Sequence, residues 1–233
     1  MNVETTIVLN LNRLLTEFPG VYQLERNIAN TPELITPAIL AYWWFSETYV
    51  RFSAAELRRR TLLAFAALPA AYVLAQIVQR LVHRPRPLNA LSLQTSDPTD
   101  FGIEQHALTK LGSFPSDHEA LLFILIVFAF SVNRRLAWVL LAFAIVYGIL
   151  RVAVGYHWPS DIIGGAVLGS AIAAALLALK PQLTETLDNV LGLIQRHRAV
   201  AYTIGFIIMA EFANGFTRLK ILANSLLHAS LFH

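Results

Sequence analysis

The feature that most constrains this chain is a series of apolar runs, each close to the length of a bilayer crossing, separated by short charged joints. A membrane helix needs about 20 mostly apolar residues. Leu34 to Val50, Thr61 to Gln79, Leu136 to Val154, Ile162 to Leu179 and Ala199 to Phe216 approach or meet that length. A further run, Glu119 to Val132, is shorter, about 20 Å as a helix. Only 14% of the 233 residues are charged, against about 25% in a soluble domain. Six buried helices of a soluble all-α protein are a poor fit to so little charge. The sequence therefore predicts an all-α integral membrane bundle with about six transmembrane helices.

The charges sort by joint. Arg51, Arg58, Arg59 and Arg60 follow the first run, Arg134 and Arg135 the third, and Lys180, Arg196 and Arg198 the fifth. In an alternating bundle these three joints share one face, and the positive-inside rule makes it cytoplasmic. The opposite face receives the long loop from Arg80 to Asp117, the short loop Gly155 to Ser160 and both termini. Residues 5 to 18 (TTIVLNLNRLLTEF) read as a short amphipathic helix lying on that outer face. The expected organisation is an N-terminal interfacial segment (1–32), a membrane core (33–180), and a cytoplasmic joint with one more transmembrane helix (181–233). The first twelve residues, without Lys, Arg or a long apolar core, make a poor secretory signal. The net charge of +3 is too small to suggest a nucleic-acid partner, and the lack of cysteine removes disulfides and thiolate metal sites.

Ionisable residues gather at particular helix mouths. In GSFPSDHEALLFILIVFAF (112–130), a polar turn opens directly onto an apolar helix. Ser116 and Glu119 have the spacing of a capping box, which leaves His118 unexplained. Past the second run, Arg84-Pro85-Arg86-Pro87 ends the helix and stiffens the chain. Alone, such arginines serve as interfacial anchors, although a guanidinium fork also suits phosphate. The short loop LRVAVGYHWPSDIIGG carries Arg151, His157 and Asp161, with Ser160 as a candidate N-cap. A carboxylate beside one ring nitrogen of a histidine fixes the tautomer and frees the other nitrogen as nucleophile or base. Alone, this pair also suits a structural hydrogen bond or half a metal site.

The predicted topology delivers all these residues to one face. Two histidines, several arginines and two helix N-termini, which favour anions, then converge. Charged groups at membrane depth default to function, so the set reads as a phosphate site with histidine chemistry.

The three segments resemble the signature of the type 2 phosphatidic-acid phosphatase family. Its pattern is Lys, six residues, Arg-Pro; then Pro-Ser-Gly-His; then Ser-Arg, five residues, His, three residues, Asp. Here Arg86-Pro87 matches the first part, Pro115-Ser116-Asp117-His118 the second, and Arg151, His157 and Asp161 the third at the family spacing. Aspartate in place of glycine in the second part is typical of the bacterial undecaprenyl-diphosphatase branch. Gln79 stands where the family has lysine, and Leu150 where it has serine. The resemblance covers about residues 5 to 180.

The resemblance implies a metal-independent, cofactor-free lipid phosphatase of the bacterial inner membrane, its site facing the periplasm or cell exterior. His157 is then the nucleophile, Asp161 its orienting carboxylate and His118 the acid. Arg86, Arg151, Ser116 and the backbone near Asp117 hold the phosphoryl oxygens, with Arg84 and Gln79 as further phosphate-binding candidates. Arg84 is expected to replace the charge missing at Gln79. The expected partners are the bilayer and a lipid phosphate, foremost undecaprenyl diphosphate. Three alternatives stay open: another lipid phosphate such as a phosphatidate or phosphatidylglycerol phosphate, with hydrolysis or phosphotransfer; a phosphate-recognising transporter without catalysis; and a metal site built from His118, Glu119, His157 and Asp161.

Overall fold

The computed structural model describes residues 2–28, 31–49, 52–93 and 112–213. Nine helices form among these residues: α1 (Val3–Glu17), α2 (Pro19–Ile28), α3 (Thr31–Phe45), α4 (Ala54–Val82), α5 (Pro87–Ala90), α6 (Asp117–Val132), α7 (Arg134–Ala153), α8 (Pro159–Arg196) and α9 (Arg198–Ala213). The only strands among them, Thr48–Tyr49 and Phe52–Ser53, pair antiparallel in the joint before α4. The protein is an all-α membrane protein. Among the described residues, three helical stretches, Ala54–Ala90, Arg134–Ala153 and Pro159–Arg196, are long and apolar enough to cross a bilayer. Val50, Arg51, residues 94–111 of the long outer loop and the end of the sixth run, residues 214–216, lie outside the described residues.

The chain divides into two compact units, Met1–Pro32 with Arg60–Pro181, and Glu33–Arg59 with Gln182–His233. In the first, α6 is apolar all round and buried all round, from Ala120 to Ala129, as expected for a helix enclosed by protein. Its shortness follows from that position: it is a core helix. Asn133 ends it and caps α7, its side chain accepting from the amides of Arg135 and Leu136. The buried face of α7 runs Ala137, Leu140, Ala144, Tyr147, Gly148 and Arg151, which is helical spacing. Two glycines of α8 admit the start of α6. A Cβ at Gly165 would collide with the carbonyl oxygen of Ser116, and one at Gly169 with that of Ala120.

The amphipathic N-terminal helix forms as α1. Its inner face, Val8, Asn12 and Leu15, is buried. Leu15 packs with Ala153, Val154 and Tyr156, and Val8 with Val152 and Trp158. Asn12 Nδ2 donates to the Ala153 carbonyl at 2.9 Å, satisfying an acceptor at the end of α7 that has no partner within its own helix. Half of the amphipathic pattern thus addresses protein.

The helix α8 continues through Lys180 and Pro181 to Arg196, past Leu179, where the apolar run of the sequence ends, and its part from Gln182 belongs to the second unit. Pro181 removes one helix donor, but the segment beyond it keeps helical spacing, with Leu187 and Leu191 buried. Arg59 also holds it, donating to both carboxylate oxygens of Asp188 at 2.6 and 2.8 Å.

Candidate active site

Three segments of the first unit are stitched together by their backbones. At the end of α4, His83 adopts a positive φ of 48° and turns the chain into Arg84-Pro85-Arg86-Pro87. The Arg84 carbonyl accepts from the Ser113 amide at 2.9 Å, and the Ser116 amide donates to the Asp161 carbonyl at 3.0 Å. The Gly155 carbonyl accepts from the Leu88 amide at 2.9 Å. Gly155 has φ of 83° in the turn after α7, a conformation that suits glycine. Trp158 Nε1 closes the set by donating to the Pro85 carbonyl at 2.9 Å.

His157 is almost fully buried, and its Nδ1 lies 2.9 Å from the Ser113 carbonyl oxygen. A carbonyl only accepts, so in the neutral ring Nδ1 carries the proton and Nε2 the lone pair. Asp161 Oδ2 is 3.7 Å from Nδ1. That is too long for a hydrogen bond but close enough to stabilise positive charge on the ring. The expectation that Asp161 itself fixes the tautomer is therefore replaced. The Ser113 carbonyl, a backbone acceptor without any side-chain signature in the sequence, keeps the proton on Nδ1. Asp161 Oδ2 accepts instead from the Trp158 amide at 2.7 Å. Burial pushes the His157 imidazole down to about 4 against the pull of Asp161, and the guanidiniums of Arg86 and Arg151 push the same way as burial. The ring is neutral at physiological pH.

His118 sits in the first turn of α6. Asp117 Oδ1 lies 3.0 Å from its Nδ1 and also accepts from its amide at 2.9 Å. The second histidine thus has its own adjacent carboxylate, and its ring is tilted against Tyr147 at 6.3 Å. Ser116 Oγ caps α6, accepting from the Glu119 amide at 3.4 Å. The reciprocal half of the capping box does not form, because the Ser116 amide is already committed to Asp161. Glu119 turns inward: its carboxyl is fully buried beside Gly148, and neither oxygen has a hydrogen-bond partner among the described residues.

The arginines divide into two kinds. Arg86 and Arg151 are buried, 9% and 5% exposed, as guanidiniums seldom are. Arg86 donates from one terminal nitrogen to the Tyr156 carbonyl at 2.9 Å, and its Nε has no hydrogen-bond partner among the described residues. Arg151 lies over the Tyr156 ring at 4.3 Å. Arg84 is different. It donates to Ser160 Oγ and Asp161 Oδ1 at 2.6 Å each and to Glu4 Oε2 at 2.7 Å. Its charge is engaged by two carboxylates, Asp161 and Glu4, rather than left without a partner. Gln79 is buried and donates to the Pro115 carbonyl at 2.8 Å, holding the turn before α6. Ser160 does not cap α8. It lies inside the first turn, and its amide donates to Glu4 Oε1 at 3.0 Å.

Among the described residues, no three His, Cys, Asp or Glu side chains are grouped to hold a metal ion.

The PAP2 superfamily profile matches residues 60–185, over half of the chain and all three motif segments. The chain belongs to the PAP2 superfamily. With its apolar helices, it is a membrane-embedded member of a phosphatase family. It is similar to undecaprenyl-diphosphatase BcrC of Bacillus subtilis (strain 168), 27% identical over 157 residues, 67% of this chain and 73% of that protein. It is also similar to the bacitracin transport permease protein BcrC of Bacillus licheniformis, 28% identical over 145 residues, 62% of this chain and 64% of that one. A crystal structure of a transmembrane PAP2-type phosphatidylglycerolphosphate phosphatase from Bacillus subtilis aligns with a TM-score of 0.46 at 19% identity, over 77% of this chain and 83% of the other.

Proposed function

We propose that this PAP2 protein hydrolyses a polyprenyl diphosphate, foremost undecaprenyl diphosphate, to the monophosphate and inorganic phosphate. The observation that carries the reading is the His157 ring: Nδ1 committed to Ser113, Nε2 left with a lone pair, and two buried guanidiniums close by. The name of the Bacillus subtilis relative supports the choice of substrate.

His157 Nε2 attacks the terminal phosphorus. The bond from phosphorus to the bridging oxygen breaks, and His118 gives that oxygen its proton, so the lipid monophosphate leaves. The ring becomes a phosphohistidine, and Asp161 at 3.7 Å offsets the charge that develops on it. His118 then takes a proton from water, water attacks phosphorus, and the phosphorus–nitrogen bond breaks to release phosphate. Arg86 and Arg151 stabilise the equatorial oxygens, a role that elsewhere falls to metal ions, with Ser116 and the amides of the first turn of α6 as further donors. The reaction therefore needs no metal or cofactor. The arginine-rich joints at Arg58 to Arg60 and Arg134 to Arg135 support a site on the outer face of a bacterial inner membrane.

Transport without catalysis, which the name of the Bacillus licheniformis relative brings to mind, has no use for a preset Nε2 lone pair. The test is release of phosphate by detergent-purified protein from a panel of undecaprenyl diphosphate, a phosphatidate and phosphatidylglycerol phosphate, with and without a chelator. Chelator-resistant release, fastest from the diphosphate, is expected. No release from any lipid, or chelator-sensitive release restored by a divalent ion, contradicts the reading.

A further inference from the structure

The N-terminal helix reaches the reacting histidine through an unbroken chain of charges. Glu4, in the first turn of α1, accepts from the Ser160 amide with one oxygen and from Arg84 with the other. Arg84 donates to Asp161 Oδ1, and Asp161 lies beside His157. From these contacts we infer that Glu4 and Arg84 are positioning residues of the reaction: α1 clamps Arg84, and Arg84 holds the carboxylate that faces the nucleophile. This rests on the reading of His157 as nucleophile given above.

Each link has a physical reason to be strong. Asp161 is fully buried, and a carboxylate cut off from water needs a compensating charge. Arg84 bonds its Oδ1 and the Trp158 amide its Oδ2. Without Arg84, a buried anion keeps one amide and is free to swing toward the proton on His157 Nδ1 or away from it.

Arg84 is fixed on several sides. Its guanidinium lies over the Trp158 ring at 5.2 Å, and its carbonyl accepts from Ser113, the residue that holds the His157 proton. One short stretch of chain thus governs both neighbours of Nδ1.

Glu4 closes the arrangement from a segment 156 residues away in sequence. Its carboxyl lies at the start of α8, where unpaired amides and the helix dipole favour an anion. Burial opposes its ionisation, but the bonds from Ser160 and Arg84 outweigh it and hold Glu4 below the usual carboxylate range. At its other end α1 is anchored by Leu15 and by the bond from Asn12 to Ala153. The helix is bolted at both ends to the elements that carry Arg151, His157 and Asp161.

A positioning role and a phosphate-binding role separate in kinetics. Arg84→Ala and Glu4→Ala should each lower kcat about ten- to a hundredfold, the loss seen when an outer partner of an active-site ligand is removed. Neither should change the inhibition constant of inorganic phosphate, which Arg86→Ala should raise. Arg84→Lys should recover part of kcat. Arg13→Ala, on the exposed side of the same helix, should match the unaltered protein. A phosphate inhibition constant raised in Arg84→Ala as much as in Arg86→Ala would make Arg84 a phosphate ligand and overturn the inference. Full kcat in both alanine variants would overturn it too. A double-mutant cycle on the melting temperature of Glu4→Ala and Arg84→Ala tests the clamp without turnover. The paired variant should lose less than the sum of the singles, and strict additivity would refute the clamp. Absence of turnover in the unaltered protein would instead count against the hydrolase reading, while the cycle still decides the clamp.

Discussion

His157 Nδ1 and the Ser113 carbonyl oxygen, 2.9 Å apart, form a bond that sets which ring nitrogen is open. Because His157 is held down to about 4, its lone pair survives well into acid. On this account the acidic limb of kcat/KM that belongs to His157 lies near pH 4, well below the ordinary histidine value of about 6.5. The sign for stability follows. Between pH 6.5 and 4 the unfolded chain takes up a proton that the folded chain refuses, so stability falls as pH falls. Melting curves across that window should show the loss, and His157→Asn should flatten it.

The contact of α8 with α6 predicts unequal tolerance among glycines. Gly165→Ala and Gly169→Ala drive a methyl into main-chain oxygens of Ser116 and Ala120. Each should cost about 1 to 3 kcal/mol, as overpacking does, and lower turnover by moving Ser116 and His118 away from Asp161. Gly192, with nothing within 4 Å of an added Cβ, should accept alanine with unchanged or slightly raised stability. Melting temperature and turnover on the three variants check this.

Gln79 and Arg84 serve different acceptors, Pro115 and Asp161. Gln79→Lys should therefore fail to restore activity to Arg84→Ala. A phosphate-release assay on the double variant checks this, and a rescue would return both residues to the phosphate.

The sidedness can be tested with single cysteines, because the chain has none of its own. Exposed positions outside the catalytic set are Ala90 on the proposed outer face and Arg135 on the cytoplasmic one. A membrane-impermeant thiol reagent added to intact cells should label Ala90→Cys and leave Arg135→Cys unlabelled until the membrane is opened. The opposite pattern inverts the topology.

The helices and the three motif segments were legible because both rest on local pattern: apolar length for the one, residue type at fixed spacing for the other. His157, Asp161, His118 and Arg86 could be proposed from that pattern alone. What the side chains bond to could not. Ser113 acts through its carbonyl, which every residue possesses, so no residue type announces it. Glu4 reads as an ordinary acid in the first turn of an amphipathic helix. Only the packing of Val8 and Leu15 brings it to Arg84, and with it the charge that seemed free for phosphate is taken up. The continuation of α8 past Leu179 was hidden for a related reason: the apolar run ends there, and only the fold shows Leu187 and Leu191 buried on one helical face beyond it.

The central claim is that His157 carries the phosphoryl group. The most direct measurement is a rapid quench of the purified protein with undecaprenyl diphosphate labelled at its terminal phosphate, followed by mapping of the protein-bound label. The account predicts an acid-labile, base-stable label on the peptide holding His157, formed before phosphate appears and absent in His157→Ala. Full turnover without any protein-bound label, or a label on a different residue, would contradict it.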